Sequence, residues 1–213
     1  MKGSRVIVGL VVALLYGPLV HAQTFSSGST GADGALDLAP GATTLQLPES
    51  GTFNFTTVNI PSNSQLHFLP NFRNTPVVIL AQGAVAVAGG ISVSVPWVSS
   101  GAVPPNYERI PGPGGFFGGF HQGDGFGPGR GVNSSNSATA SGRWVGPLTL
   151  VPIVGGSGGA GYYYSGTGYE RYVGAGGGGA IVIASSGSIS ITGLMLSSRM
   201  RESSQTDDQI RDK

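Results

Sequence analysis

The chain contains no cysteine, which excludes disulfides, thiolate metal sites and a cysteine nucleophile together. Charge is scarce as well. Only 10% of the 213 residues are Asp, Glu, Lys or Arg, and the formal net charge is +1. A chain so close to neutral carries no basic surface for a polyanion, so no nucleic-acid partner is expected. Lysine occurs only as Lys2 and Lys213. No lysine therefore follows a glycine loop, and a Walker-type phosphate site is excluded. Glu49, Glu108, Asp124 and Glu170 are scattered carboxylates. Polysaccharide lyases and glycosidases need clustered carboxylates, or a basic residue beside bound calcium. The apolar runs at 77–95 and 180–193 hold neither an acid nor a base, so those runs offer no catalytic face. Glu108 with Asp124 is the pair left for an enzymatic reading.

What the chain has instead is glycine, 38 residues of it, and short branched runs. Val77-Val78-Ile79-Leu80-Ala81 leads through Gln82-Gly83 to Val85-Ala86-Val87 and a stop at Gly89. Ile181-Val182-Ile183-Ala184 leads through Ser185-Ser186-Gly187 to Ile189-Ser190-Ile191 and a stop at Gly193. Aligned with one extra residue at the turn, the two units match. Each reads as strand, tight turn, strand. Further alternating pairs are Leu45/Leu47, Val58/Ile60 and Leu66/Phe68, with breakers at Pro48, Gly51, Pro61 and Pro70-Asn71. Leu45/Leu47, Leu66/Phe68 and Val85/Val87 recur at roughly 20-residue spacing, as do Val58/Ile60 and Val78/Leu80. Repeats of that length fit stacked parallel strands better than the hairpins of a sandwich. The expected fold is all-β, with right-handed parallel β-helix-like coils. In it, Val78-Ile79-Leu80 and Ile181-Val182-Ile183 lie side by side, with Ile79 and Val182 in one sheet and facing the same way.

The organisation follows from composition. Residues 1–22 read as a signal peptide. Lys2 and Arg5 precede an apolar core from Val6 to Leu15, Gly17-Pro18 breaks it, and Val20-His21-Ala22 sets cleavage before Gln23. Residues 23–95 form the N-terminal β-coils. Residues 96–177 hold 23 of the glycines and most aromatics, and form a long lateral excursion. Glycine does not fall at every third position across it, which excludes collagen. Residues 178–193 are the returning coil. Residues 194–213 gather Arg199, Arg201, Glu202, Asp207, Asp208, Arg211, Asp212 and Lys213 into a charged tail. This tail reads either as a natural disordered segment or as a shifted or truncated frame that leaves the last coil incomplete.

Several motifs weaken on inspection. Gly155-Gly156-Ser157-Gly158-Gly159 has the nucleophile-elbow pattern, but every histidine (His21, His67, His121) lies upstream and no helix follows. Gly156 to Gly161 matches the dinucleotide fingerprint formally, again without the helix that would face a pyrophosphate. His121 with Asp124, and Asp33 with Asp37, are too few ligands for a metal site. No metal or cofactor is expected. His67, between Leu66 and Phe68, is expected to point into solvent.

At Ser27-Gly28-Ser29-Thr30-Gly31-Ala32-Asp33-Gly34-Ala35, Phe53 to Pro61 and Asn74 to Ala81, the chain resembles a group of uncharacterised secreted bacterial glycine-rich proteins. The resemblance covers residues 23–193 and includes excursions that open like Gly112-Pro113-Gly114-Gly115-Phe116. It implies export and a β-helix-like repeat, and it brings no catalytic residues. Members of the group continue past the second unit into an Ala-Asn-Gly-Gly type ending, from which this chain departs.

The functional expectation is an exported, non-enzymatic β-helix protein of the cell surface, matrix or periplasm, structural or adhesive. Its partner would be a cell-envelope or extracellular polysaccharide, and an open coil edge would allow self-association. Two alternatives stand beside it. One is a polysaccharide-active β-helix lyase or hydrolase. The other is a carbohydrate-binding module whose aromatics stack on sugars, with Trp97, Tyr107, Trp144, Tyr163 and Tyr169 as ligand-binding residues.

Overall fold

A computed structural model describes residues 25–94, 109–120, 123–134, 137–140, 152–164, 170–172 and 174–197. Among them are fifteen strands and no α-helix. In chain order the first eight are β1 (Leu36–Asp37), β2 (Gly41–Gln46), β3 (Thr52–Phe55), β4 (Val58–Ile60), β5 (Ser64–Leu69), β6 (Val77–Ala81), β7 (Val85–Val87) and β8 (Gly90–Ser92). Four lie in the glycine-rich region: β9 (Val132–Ser134), β10 (Ser137–Ala140), β11 (Tyr162–Tyr164) and β12 (Glu170–Tyr172). The last three are β13 (Ile181–Ser185), β14 (Ile189–Ile191) and β15 (Leu194–Leu196).

Eleven of these strands make three parallel sheets. Their orders are β1-β4-β7-β14, β2-β5-β8-β15 and β3-β6-β13. The chain visits the sheets in a fixed rotation, so β3, β4 and β5 form one round, and β6, β7 and β8 the next. Short strands divided by Gly, Pro and Asn produce this, because each breaker turns the chain before a strand can lengthen. The Pro48–Gly51 turn shows the mechanism. Gly51 has φ +74°, and its N–H donates to the Pro48 carbonyl at 2.9 Å, which swings the chain from β2 into β3.

Period-2 alternation then builds the core. Val58 and Ile60, Leu66 and Phe68, Val77 and Ile79, and Val85 and Val87 are all at most 2% exposed. In β6 it is Val77, Ile79 and Ala81 that point inward. Each fully buried branched or aromatic side chain contributes roughly 1.5–3 kcal/mol. Three phenylalanines fill the early rounds. Phe53 and Phe55 stack at 5.5 Å between ring centroids, and Phe53 meets Phe68 at 5.8 Å.

The register corrects the expected spacing. Among β1 to β8, neighbours in a sheet are 22 to 27 residues apart, as in Leu36 beside Val58 and Val58 beside Val85. Of the roughly 20-residue matches, Leu45/Leu47 with Leu66/Phe68 does join paired strands, β2 and β5, though two residues out of register, with Leu45 beside Phe68. The others join strands of different sheets: Leu66/Phe68 is in β5 and Val85/Val87 in β7, while Val58/Ile60 is in β4 and Val78/Leu80 in β6. Period 2 repeats on every face, so apolar pairs alone do not say which face they share.

The two similar units do pair, in parallel, across the glycine-rich region. Ile181 lies beside Val77, Ile189 beside Val85 and Leu194 beside Gly90, an offset of 104 residues in all three sheets. No extra residue is needed at the turn. Val182 consequently stands beside Val78, and Ile183 beside Ile79, so Ile79 and Val182 point opposite ways, against the expectation. Ser185 is what shifts the register. It takes the inward place equivalent to Ala81, is buried, and donates its hydroxyl to the Gly83 carbonyl. The returning round also runs beyond Gly193, since Leu194–Leu196 forms β15 on β8. Residues 198–213 lie outside the described residues.

A strap runs back along the stack. Ser27 donates from its hydroxyl to Ala81 O at 2.6 Å, Ser29 to Phe55 O at 2.8 Å, and Asp33 N–H to Asn54 O at 2.9 Å. The Asp33 carboxylate accepts from Asn54 N–H at 2.6 Å, and that of Asp37 from Asn59 Nδ2 at 2.7 Å. Both aspartates thus serve local backbone and row contacts, in keeping with the turn chemistry of Asp33-Gly34.

Candidate functional site

The glycine-rich region contributes more than a loop. Within it, glycine recurs every third residue in three stretches: Gly112/Gly115/Gly118, Gly155/Gly158/Gly161 and Gly174/Gly177. Three residues per turn is the repeat of an extended, internally unbonded helix. Apart from the turn bond from Gly115 N–H to Gly112 O at 2.8 Å, the amides of these stretches find partners on other segments, as such a chain requires. Gly112 N–H donates to Gly177 O at 3.0 Å, Phe116 N–H to Gly156 O at 3.0 Å, Gly177 N–H to Phe116 O at 2.8 Å, and Gly158 N–H to Phe126 O at 2.9 Å. Glycine is required because the backbones touch. A Cβ on Gly177 would collide with the Gly156 carbonyl, and one on Gly118 with that of Gly174. The result is a laterally bonded bundle of segments around 112–119, 123–131, 155–161 and 174–180.

Asn74 ties this bundle to the stack. It is the one non-glycine residue with positive φ among the described residues, at +49°. Asparagine tolerates that conformation, and turn bonds hold it, with Asn74 N–H donating to Asn71 O at 3.0 Å. Its side chain then faces the bundle. Nδ2 donates to Gly115 O at 2.7 Å, and Oδ1 accepts from Gly114 N–H at 3.2 Å. On the other side, Ala180 N–H donates to Pro113 O at 2.8 Å, and Gly179 N–H to Val93 O at 3.1 Å.

A cavity of about 390 Å³ opens at this junction, lined by Arg73, Asn74, Phe116, Phe117, Phe126 and Val154 among others. Phe117 is 46% and Phe126 54% exposed. Their backbones are fixed by the Phe126 N–H to Phe117 O bond at 3.0 Å. Arg73 reaches Glu49 at 3.0 Å, both side chains being largely exposed. The lining thus offers apolar faces, backbone amides and one guanidinium. A guanidinium can bind an anion and does not exchange its proton at ordinary pH.

Of the expected ligand residues, Tyr163 alone lies among the described residues. Trp97, Tyr107, Trp144 and Tyr169 lie outside the described residues, as do Glu108 and His121. Tyr163 is in β11, where it pairs with Arg171 of β12. Asp124 sits 3.7 Å from Arg130. Ser157 of the elbow-like motif accepts from Gly129 N–H at 2.9 Å, and strand β11 rather than a helix follows it. His67 departs from its expected place in solvent. It is half-buried on the outer side of β5, and its Nδ1 is sealed from solvent without a partner. Arg73, Asn74 and Phe126 carried no sequence signal as a site, although the three-residue glycine spacing marks the bundle that presents Phe126. Compared with family models, curated proteins and solved structures, the chain matches none.

Proposed function

We propose that the three sheets close into a right-handed parallel β-helix belonging to an exported, non-enzymatic protein of the cell surface or matrix, with an adhesive role toward envelope or extracellular polysaccharide. The resemblance to secreted bacterial glycine-rich proteins and the leader-like residues 1–22 support export, with cleavage before Gln23. The observation that carries the adhesive reading is the rigid mounting of exposed Phe117 and Phe126 beside Arg73. Rings held by backbone bonds lose little entropy when a sugar face stacks on them, and the guanidinium suits an acidic substituent. Trp97, Tyr107, Trp144, Tyr163 and Tyr169 are the residues the sequence offers for the same stacking role.

The test is glycan-array binding by the exported protein and by Phe126→Ala, with turnover measured on every hit. The reading predicts binding to acidic glycans, weakened at least several-fold by Phe126→Ala, and no new reducing ends. Cleavage of a bound glycan would return the reading to a polysaccharide-active enzyme, and equal binding by Phe126→Ala would remove this site. Mass spectrometry of exported protein gives the separate check on Gln23 as the first residue.

A further inference from the structure

The last round, β13-β14-β15, is left open. It ends each of the three sheets, and no strand lies beyond it among the described residues. Val85 N–H donates to Ser188 O and Thr192 N–H to Val87 O, so the even residues of β14 bond inward to β7. The backbone groups of Ile189 and Ile191 therefore face outward along the stack. Ile189 is 46%, Ile191 42%, Leu194 57% and Met195 38% exposed. Residues 174–197 contain no charged side chain, so the edge lacks the usual guard against strand addition.

We infer that this end takes the first round of a second copy of the chain, head to tail. The stack itself shows what such an edge accepts, because β6-β7-β8 already receives a round of near-identical pattern in parallel. The other end supplies matching strands, since β1 and β2 have no strand beyond them among the described residues. Continuing the rows Leu36–Val58–Val85–Ile189 and Thr43–Leu66–Ile91–Met195 sets Ile189 beside Leu36 and Met195 beside Thr43 of the next copy. The one charge on β1 and β2, Asp37, is held by Asn59. A contact between different ends does not close on itself, so it propagates as a fibre. The inference rests on the stacked-coil part of the proposed function.

The absence of native cysteine makes the test clean. In the row Asp37–Asn59–Ala86–Ser190, head-to-tail contact brings Ser190 about 4.8 Å from Asp37 of the next copy, within disulfide reach. Within one chain the same two residues are roughly 14 Å apart, three strand spacings. Mild oxidation of the doubly substituted Asp37→Cys/Ser190→Cys chain should give covalent dimers and longer ladders, while either single variant gives none. Ala86→Cys/Ser190→Cys should close within the chain, and its failure would refute the stack itself. If that control closes and Asp37→Cys/Ser190→Cys yields no ladder, the inference is overturned. It is equally overturned if Ser190→Cys alone gives dimers, since like ends then meet. Ladders from a chain ending at Ser197 but not from the full chain overturn it too, because residues 198–213 then cover the end. As a second measurement, Ile191→Lys should shift the protein to monomer by light scattering with its β signal in circular dichroism retained.

Discussion

Residues 77–92 and residues 112–119 sit a few ångströms apart and are held by opposite means. In the first, Val77, Ile79, Val85 and Val87 bury side chains between sheets, and backbone bonds run strand to strand at a fixed offset. In the second, Gly112, Gly115 and Gly118 have nothing to bury, and the backbones themselves make the contact. One region is built by adding side chains and the other by leaving them out. The two should therefore fail under different substitutions.

The largest effect belongs to the stack. Ile79→Asp puts an unpaired carboxylate among Val77, Phe53 and Ile183 and should cost about 4 kcal/mol or more, read as loss of the cooperative melt. An unchanged melting temperature would show that Ile79 is not inside. In the bundle the smallest possible addition should be damaging. Gly177→Ala or Gly118→Ala pushes a methyl against a carbonyl and should cost about 1–3 kcal/mol, the scale of overpacking. Hydrogen exchange should quicken across 112–119 and 155–161 while 77–87 keeps its protection. Asn74→Ala tests the joint between the regions. It removes both side-chain bonds to Gly114 and Gly115 and should cost about 1–3 kcal/mol. It should also weaken glycan binding if the cavity is the site. Arg73→Ala should change stability by less than about 1 kcal/mol, as exposed ion pairs do, so any larger loss of binding is specific to the ligand.

The stack was legible in the sequence because period-2 alternation, glycine stops and turn prolines all agreed. The similar units at 77–89 and 181–193 announced a shared sheet. The register was not legible. Ser185 reads as a turn residue, yet it fills the inward place beside Ala81, and only its bond to Gly83 reveals that. Likewise, Leu194–Leu196 reads as the start of the charged tail because Gly193 looks like a stop, whereas Gly89 before β8 shows that such a glycine is a corner. The bundle went unread for another reason. Its glycines keep a three-residue spacing only within short stretches, and the spacing blurs over the whole region. Most of its bonds join residues 16 to 67 apart, from Gly159–Ala175 to Ala180–Pro113, where no local pattern points. The cavity depends on that bundle, so Phe126 and Arg73 could not be brought together from the sequence.

The central claim is that the two similar units pair without a gap. Two cysteine pairs decide it. Leu80→Cys with Ala184→Cys places the thiols on neighbouring positions of β6 and β13. Leu80→Cys with Ile183→Cys places them as the gapped alignment would have it. The account predicts that the first pair oxidises within the chain, while the second stays reduced because Ile183 faces the opposite side. The reverse result would contradict it.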